Sequence, residues 1–207
     1  MISLSNAVVF GWHSAIMGMR NPMNSWSKSD SVFYSDFSCK IGQNDLDLME
    51  KLIKAGAEHR KFLRMIHVQM DIEAPLYWWK EFETYKIGTV SNSCSTMHKI
   101  AAKEFTIEDF SVEHLLAENT VYFGKTIERL NNARNKFLQT KDKKYWWQMI
   151  QLLPSSYNQL RTVDLNYEVL LNQYFQRKDH KLDEWRIYCE QIKCFPYLND
   201  FIEVLEK

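Results

Sequence analysis

The sequence has few residues that make tight turns. Six glycines and four prolines in 207 residues leave little room for the reversals of a many-stranded barrel. Neither charge sign is in excess, since 26 Lys and Arg balance 26 Asp and Glu. That argues against a nucleic-acid polymer as the main partner, because phosphate binding draws on a basic surplus. No run approaches the ~20 uninterrupted apolar residues of a bilayer span, so no membrane association is expected. Residues 1–19 are fairly apolar, but Ser, Asn, His and Gly interrupt them and no charged leader precedes them, which makes a poor signal peptide. Cysteines at 39, 94, 189 and 194 form no CxxC pair and have no histidine at ligand spacing. They are expected to be reduced thiols of a cytoplasmic protein, with no metal. A nucleophile elbow, a Walker loop, a dinucleotide glycine fingerprint and HExxH are all missing.

Large side chains are plentiful: 14% of residues are aromatic and 45% hydrophobic. That favours long helices around one core, in a single domain over residues 1–207. Residues 7–10 read as a buried strand and 21–31 as a loop. A helix follows Asn44-Asp45, either of which can cap it, and carries Leu48, Met49, Leu52 and Ile53 until Gly56 stops it. Ile66, Val68 and Met70 then alternate with His67, Gln69 and Asp71, the period of a strand with one buried face. Ala74-Pro75 opens a helix with Leu76, Trp79 and Phe82 that runs to about Lys86. GTVSNSCS, residues 88–95, reads as a polar loop, because its small side chains compete for backbone hydrogen bonds. Further helices are predicted at about 120–138, 142–152, 165–178 and 180–194, with an extended segment over 157–164. The last helix carries a core stripe of Leu182, Trp185, Cys189 and Ile192. Strands embedded among more numerous helices give an α/β (α+β) layer structure.

Three polar places offer chemistry. In the 88–95 segment, hydroxyls and the Asn92 amide suit a phosphate or a base edge, or simply a solvated turn. Asn166, Gln173 and Arg177 fall at i, i+7 and i+11, so they share a helical face. Such a face can read a planar ring and its phosphate, or merely meet water. Arg60, Lys61 and Arg64 suit an anion or a solvated surface. His59, His67, His98 and His180 share no register for a metal, and Trp78-Trp79 and Trp146-Trp147 suit a core or a subunit interface.

Taken in order, these stretches resemble the flavin-dependent thymidylate synthase family. Glu58 and Phe62 are similar to its Glu-Thr-x-Phe segment, and strand 65–73 leading into Ala74-Pro75 is similar to its strand-to-Ala-Pro junction. YWWKEFETYKIGTVSNSCSTMH, residues 77–98, stands where the family has Arg-His-Arg-x-x-Ser-x-Asn-Glu-x-Ser-x-Arg. Residues 153–180 resemble the family's Leu-Pro, Asn-Ala-Arg, Asn and Leu-Arg-x-Asp series, and HKLDEWR keeps His180, Glu184 and Arg186. Thr89 matches the signature serine, and Asn92 and Ser95 align after one extra residue. Elsewhere the pattern departs. The Arg-His-Arg triplet is Thr84-Tyr85-Lys86, the signature glutamate is Ser93 and the final arginine is Met97. Arg64 replaces a flavin-contacting histidine, while Glu168 and Ile150 replace arginines.

The resemblance implies a small central mixed sheet flanked by long helices, in a homotetramer with shared sites. It implies reductive methylation of deoxyuridylate to thymidylate, using FAD, methylenetetrahydrofolate and a reduced nicotinamide. Arg177, Lys86, Thr89, Asn92, Ser95 and Arg64 are its nucleotide-binding candidates, and Asn166 and Asn172 its cofactor-binding candidates. The lost arginines imply an alternative, in which a non-catalytic relative binds or sequesters a nucleotide signal, as a phage protein directed against host defence would do.

Overall fold

Helical and alternating hydrophobic patterns sort the described residues, 1–36 and 38–207, of a computed structural model into eight α-helices and six strands. In chain order they are β1 (Ser3–Phe10), α1 (Trp12–Arg20), β2 (Val32–Phe33), β3 (Cys39–Lys40), α2 (Gln43–Lys54), β4 (His67–Pro75) and α3 (Leu76–Phe82). There follow β5 (Thr89–Ser93), α4 (Ala117–Thr140), α5 (Lys143–Leu152), β6 (Asn158–Asn166), α6 (Tyr167–Arg177), α7 (Asp183–Ile192) and α8 (Leu198–Glu206). The main sheet has the order β1-β4-β6-β5, and β2 and β3 form a separate antiparallel pair. The small sheet among helices is thus present, as expected. The Tyr167 N–H donates to the Ile66 carbonyl and the Leu76 N–H to the Tyr157 carbonyl, each at 3.0 Å, so β4 and β6 run antiparallel. The long connection between these strands carries no sign of their relative direction.

The chain groups into two compact units built from interleaved segments. One comprises Met1–Ser3, Ile72–Thr84 and Asn92–Arg161, the other Leu4–Asp71, Tyr85–Ser91 and Thr162–Lys207. In the first, α4 lies against α5, and Leu130, Ala133 and Met149 close on Ile100, Phe105 and Phe110. Residues 99–118 therefore contribute to this core. Asn131 fastens them, its Oδ1 accepting from the Phe105 N–H and its Nδ2 donating to the Phe105 carbonyl, both at 2.8 Å. Trp78 and Trp79 are fully buried, as a core pair should be, whereas Trp147 is exposed. In the second unit, Trp12 and Phe201 meet the ring of Tyr167 edge-on, and α6 packs on α7 and α8. β1 turns into α1 at Gly11, where φ is 95° and a Cβ would stand 2.0 Å from the Met65 carbonyl oxygen.

Three local expectations are corrected, and two helices join the predicted ones. α3 ends at Phe82 rather than near Lys86, because the Thr84 hydroxyl takes the Glu81 carbonyl at 2.7 Å and the chain turns away. Residues 89–93 of the expected loop form edge strand β5. Four of its five residues are exposed, so no alternation marked it. Helices α1 and α8 lay outside the periodic runs and went unassigned. Finally, neither Asn44 nor Asp45 caps α2. Gly42 holds that position, and the Asp30 carboxylate accepts from the Asn44 and Asp45 N–H groups at 3.0 and 3.2 Å.

Asp45 is instead wholly buried. It accepts from Arg20 Nε at 2.6 Å, from the Ser29 and Ser31 hydroxyls at 2.7 Å, and from two backbone N–H groups at 3.1 Å. Burial alone would raise its carboxyl, but hydrogen bonds from Ser31, Ser29 and Arg20 outweigh that and hold it below the ordinary aspartate value. A depressed folded value means that this stabilisation is present above about pH 4 and is lost as the pH falls further. Asp45→Asn should cost about 3–5 kcal/mol in urea unfolding at neutral pH, because Arg20 is left buried without its counter-charge. The difference from the parent should shrink as the pH is lowered below the usual aspartate value.

Candidate functional site

Helix α6 and its cap hold Asn166, Asn172 and Arg177. Asn166 caps it, with Oδ1 accepting from the Val169 N–H at 3.1 Å. Gly88 lies against that cap. Its φ is 75°, and a Cβ there would stand 2.7 Å from Asn166 Nδ2, so only glycine fits this approach. Glu168, in the first turn, is 7% exposed and accepts from Arg60 Nη2 at 2.9 Å and Nε at 3.2 Å. A carboxylate favours this end of a helix dipole. Arg60 also removes the unpaired charge that burial would otherwise penalise. The other Glu168 oxygen and, separately, the Thr89 hydroxyl are buried without a hydrogen-bond partner.

At the far end, the Arg177 Nε donates to the Tyr85 hydroxyl at 2.9 Å, and that hydroxyl donates to Gln176 Oε1 at 3.0 Å. The guanidinium lies 4.8 Å from the Trp185 ring centre and 5.7 Å from that of Tyr85. Asn166, Gln173 and Arg177 do share a face, as their spacing implies, but the middle of that face is spent on packing. Gln173 is fully buried and accepts from the Tyr188 hydroxyl of α7 at 2.6 Å. The same period describes a core face and a binding face, so spacing could not separate them. With a rise of ~1.5 Å per residue, Asn166 and Arg177 stand roughly 16 Å apart, too far to grip one phosphate together.

The remaining candidates divide further. Arg64, Lys86 and Asn172 are exposed. Glu58 and Phe62 line a cleft of about 470 Å³ with Met19, Met23, Leu48 and Met65, within the size range of small-molecule pockets. In the other unit, Asn92 is exposed on β5, and Ser95 Oγ accepts from the Met97 and His98 N–H groups at 3.2 and 3.0 Å. Arg161, also of that unit, is engaged by Glu83 at 2.8 Å and Gln159 at 3.0 Å, and lies 4.4 Å over Trp79. Tyr85 is the site residue that sequence reading passed over, although it holds the middle of the altered signature triplet. Among the described residues no group of three metal-ligating side chains converges, and no helix is long and apolar enough to cross a membrane.

No protein-family model matches the chain, and no curated protein does. Solved structures match over its whole length. A crystal structure of thymidylate synthase X from Helicobacter pylori with FAD and dUMP superposes with a TM-score of 0.69 at 14% identity, covering 100% of this chain and 99% of that one. A second, of flavin-dependent thymidylate synthase from the same organism complexed with FAD and dUMP, gives 0.66 at 13%, covering 97% and 96%. The chain has the fold that its sequence resembles.

Arg60→Ala should destabilise the protein by about 3–5 kcal/mol in urea unfolding, because Glu168 is left buried and unpaired. Combining it with Glu168→Gln should recover part of that loss, as expected for residues in contact.

Proposed function

We propose that this chain, built on the fold of flavin-dependent thymidylate synthase, is a nucleotide-binding protein that does not hold FAD through that family's contacts. The observation that carries this reading is the Arg60–Glu168 pair. The resemblance expects a phosphate-facing arginine at position 168. Here a carboxylate stands there, its charge already met by Arg60 at 2.9 Å. A neutral pair offers a flavin pyrophosphate no net attraction, and the carboxylate oxygen without a partner opposes it. Asn166, a cofactor candidate, has its acceptor oxygen committed to the helix cap. The residues at the start of α6 therefore do not fit FAD in the family's manner.

Arg177 supports the nucleotide half of the reading. Its Nε bond and its ring neighbours hold a guanidinium in a defined plane, the form in which arginine recognises phosphate. Lys86, Thr89 and Arg64 are its proposed companions in the same unit. Asn92 and Ser95 stay candidates through the resemblance of their loop, and Asn172 through that of α6. Binding without turnover, the sequestration of a small nucleotide, is the role this set supports best. The homotetramer that the resemblance implies belongs to the same proposal.

Purified protein should show no stoichiometric flavin absorbance and should not restore growth to a thymidine-requiring bacterium. In a calorimetric panel of mononucleotides, Arg177→Ala should weaken the best ligand by about 30-fold or more, the equivalent of ~2 kcal/mol. A yellow preparation that supports growth without thymidine would replace this reading with the enzyme.

A further inference from the structure

We infer that Tyr85 is a positioning residue, which sets the guanidinium of Arg177 for the phosphate of the bound nucleotide. The inference rests on the proposed function and concerns a residue that the resemblance does not supply, since the family's signature has histidine at this point.

The geometry gives Tyr85 a specific task. Its hydroxyl accepts from Arg177 Nε at 2.9 Å and donates to Gln176 Oε1 at 3.0 Å, so both of its hydrogen-bonding directions are fixed. The bond to Arg177 has a charged donor and is stronger than one between neutral groups. Trp185, fully buried, packs edge-on to the Tyr85 ring at 6.0 Å and lies 4.8 Å from the guanidinium. The hydroxyl controls rotation of the guanidinium about its long axis, while the indole limits its tilt. An arginine side chain has about 2 kcal/mol of rotamer entropy to lose on binding. Holding the fork in place before the ligand arrives lowers that cost and favours a planar two-pronged contact with phosphate. Tyr85 and Arg177 are 92 residues apart in sequence. Tyr85 directly follows Thr84, whose hydroxyl donates to the Glu81 carbonyl at 2.7 Å.

The test measures binding of dUMP and of its unphosphorylated nucleoside, deoxyuridine, by calorimetry to the full chain. Tyr85→Phe should weaken dUMP about tenfold, the scale of one hydrogen bond to a charged group, and leave deoxyuridine unchanged. In the Arg177→Ala background the same substitution should add no further loss, because its effect passes through the arginine. Gln176→Ala, at an exposed position, should produce a smaller loss in the same direction and serves if Tyr85→Phe does not fold. Equal loss for dUMP and deoxyuridine, additivity with Arg177→Ala, or no loss at all would overturn the inference and leave the proposed function standing. Failure of the parent protein to bind any mononucleotide would remove the proposed function, and this inference with it.

Discussion

The ion pair between Arg60 and Glu168 fixes the charge at the start of α6. Both side chains are largely withdrawn from water, at 14% and 10% exposure, and each is tolerable there only because of the other. The pair joins the turn before β4 to the first turn of α6, segments 108 residues apart. It therefore sets the charge at the start of the helix that carries the most candidate residues. Where an arginine would draw in a phosphate, a carboxylate with its own cation makes the position neutral and closed. On the proposed reading, a flavin held through the family's contacts would need that pair opened or rebuilt.

The same economy runs through the rest of the structure. Other arginines are already engaged: Arg161 by Glu83 and Gln159, and Arg20 by Asp45. Arg177 is also ordered, by the Tyr85 hydroxyl and by the Trp185 indole. On the proposed reading, the ligand's phosphate sits at the Arg177 end of α6 and not at its start.

Much of the architecture was legible in the sequence because it is written in local periods. The alternation from Ile66 to Asp71 marks β4, and the stripe through Trp185, Cys189 and Ile192 marks α7; all three of these side chains are buried. What escaped was non-local or lacked contrast. β5 is an edge strand with most of its residues exposed, so its residues show no inward and outward sides. Asp45 looked like a cap because it stands at a helix start, and only tertiary contact with Arg20 and two serines gives it a buried role. For the site, the resemblance identified Glu168 as a reversed charge, yet nothing near it in sequence named Arg60 as its partner. Tyr85 was legible only as a departure from the signature triplet, and its bond to Arg177 appears once the chain has folded.

The most direct measurement is a crystal structure of the protein grown with saturating dUMP and FAD together. The account predicts nucleotide density with its phosphate on the Arg177 guanidinium, and an undisturbed Arg60–Glu168 contact with no dinucleotide beside it. An FAD pyrophosphate seated at the first turn of α6, with that contact broken, would contradict it.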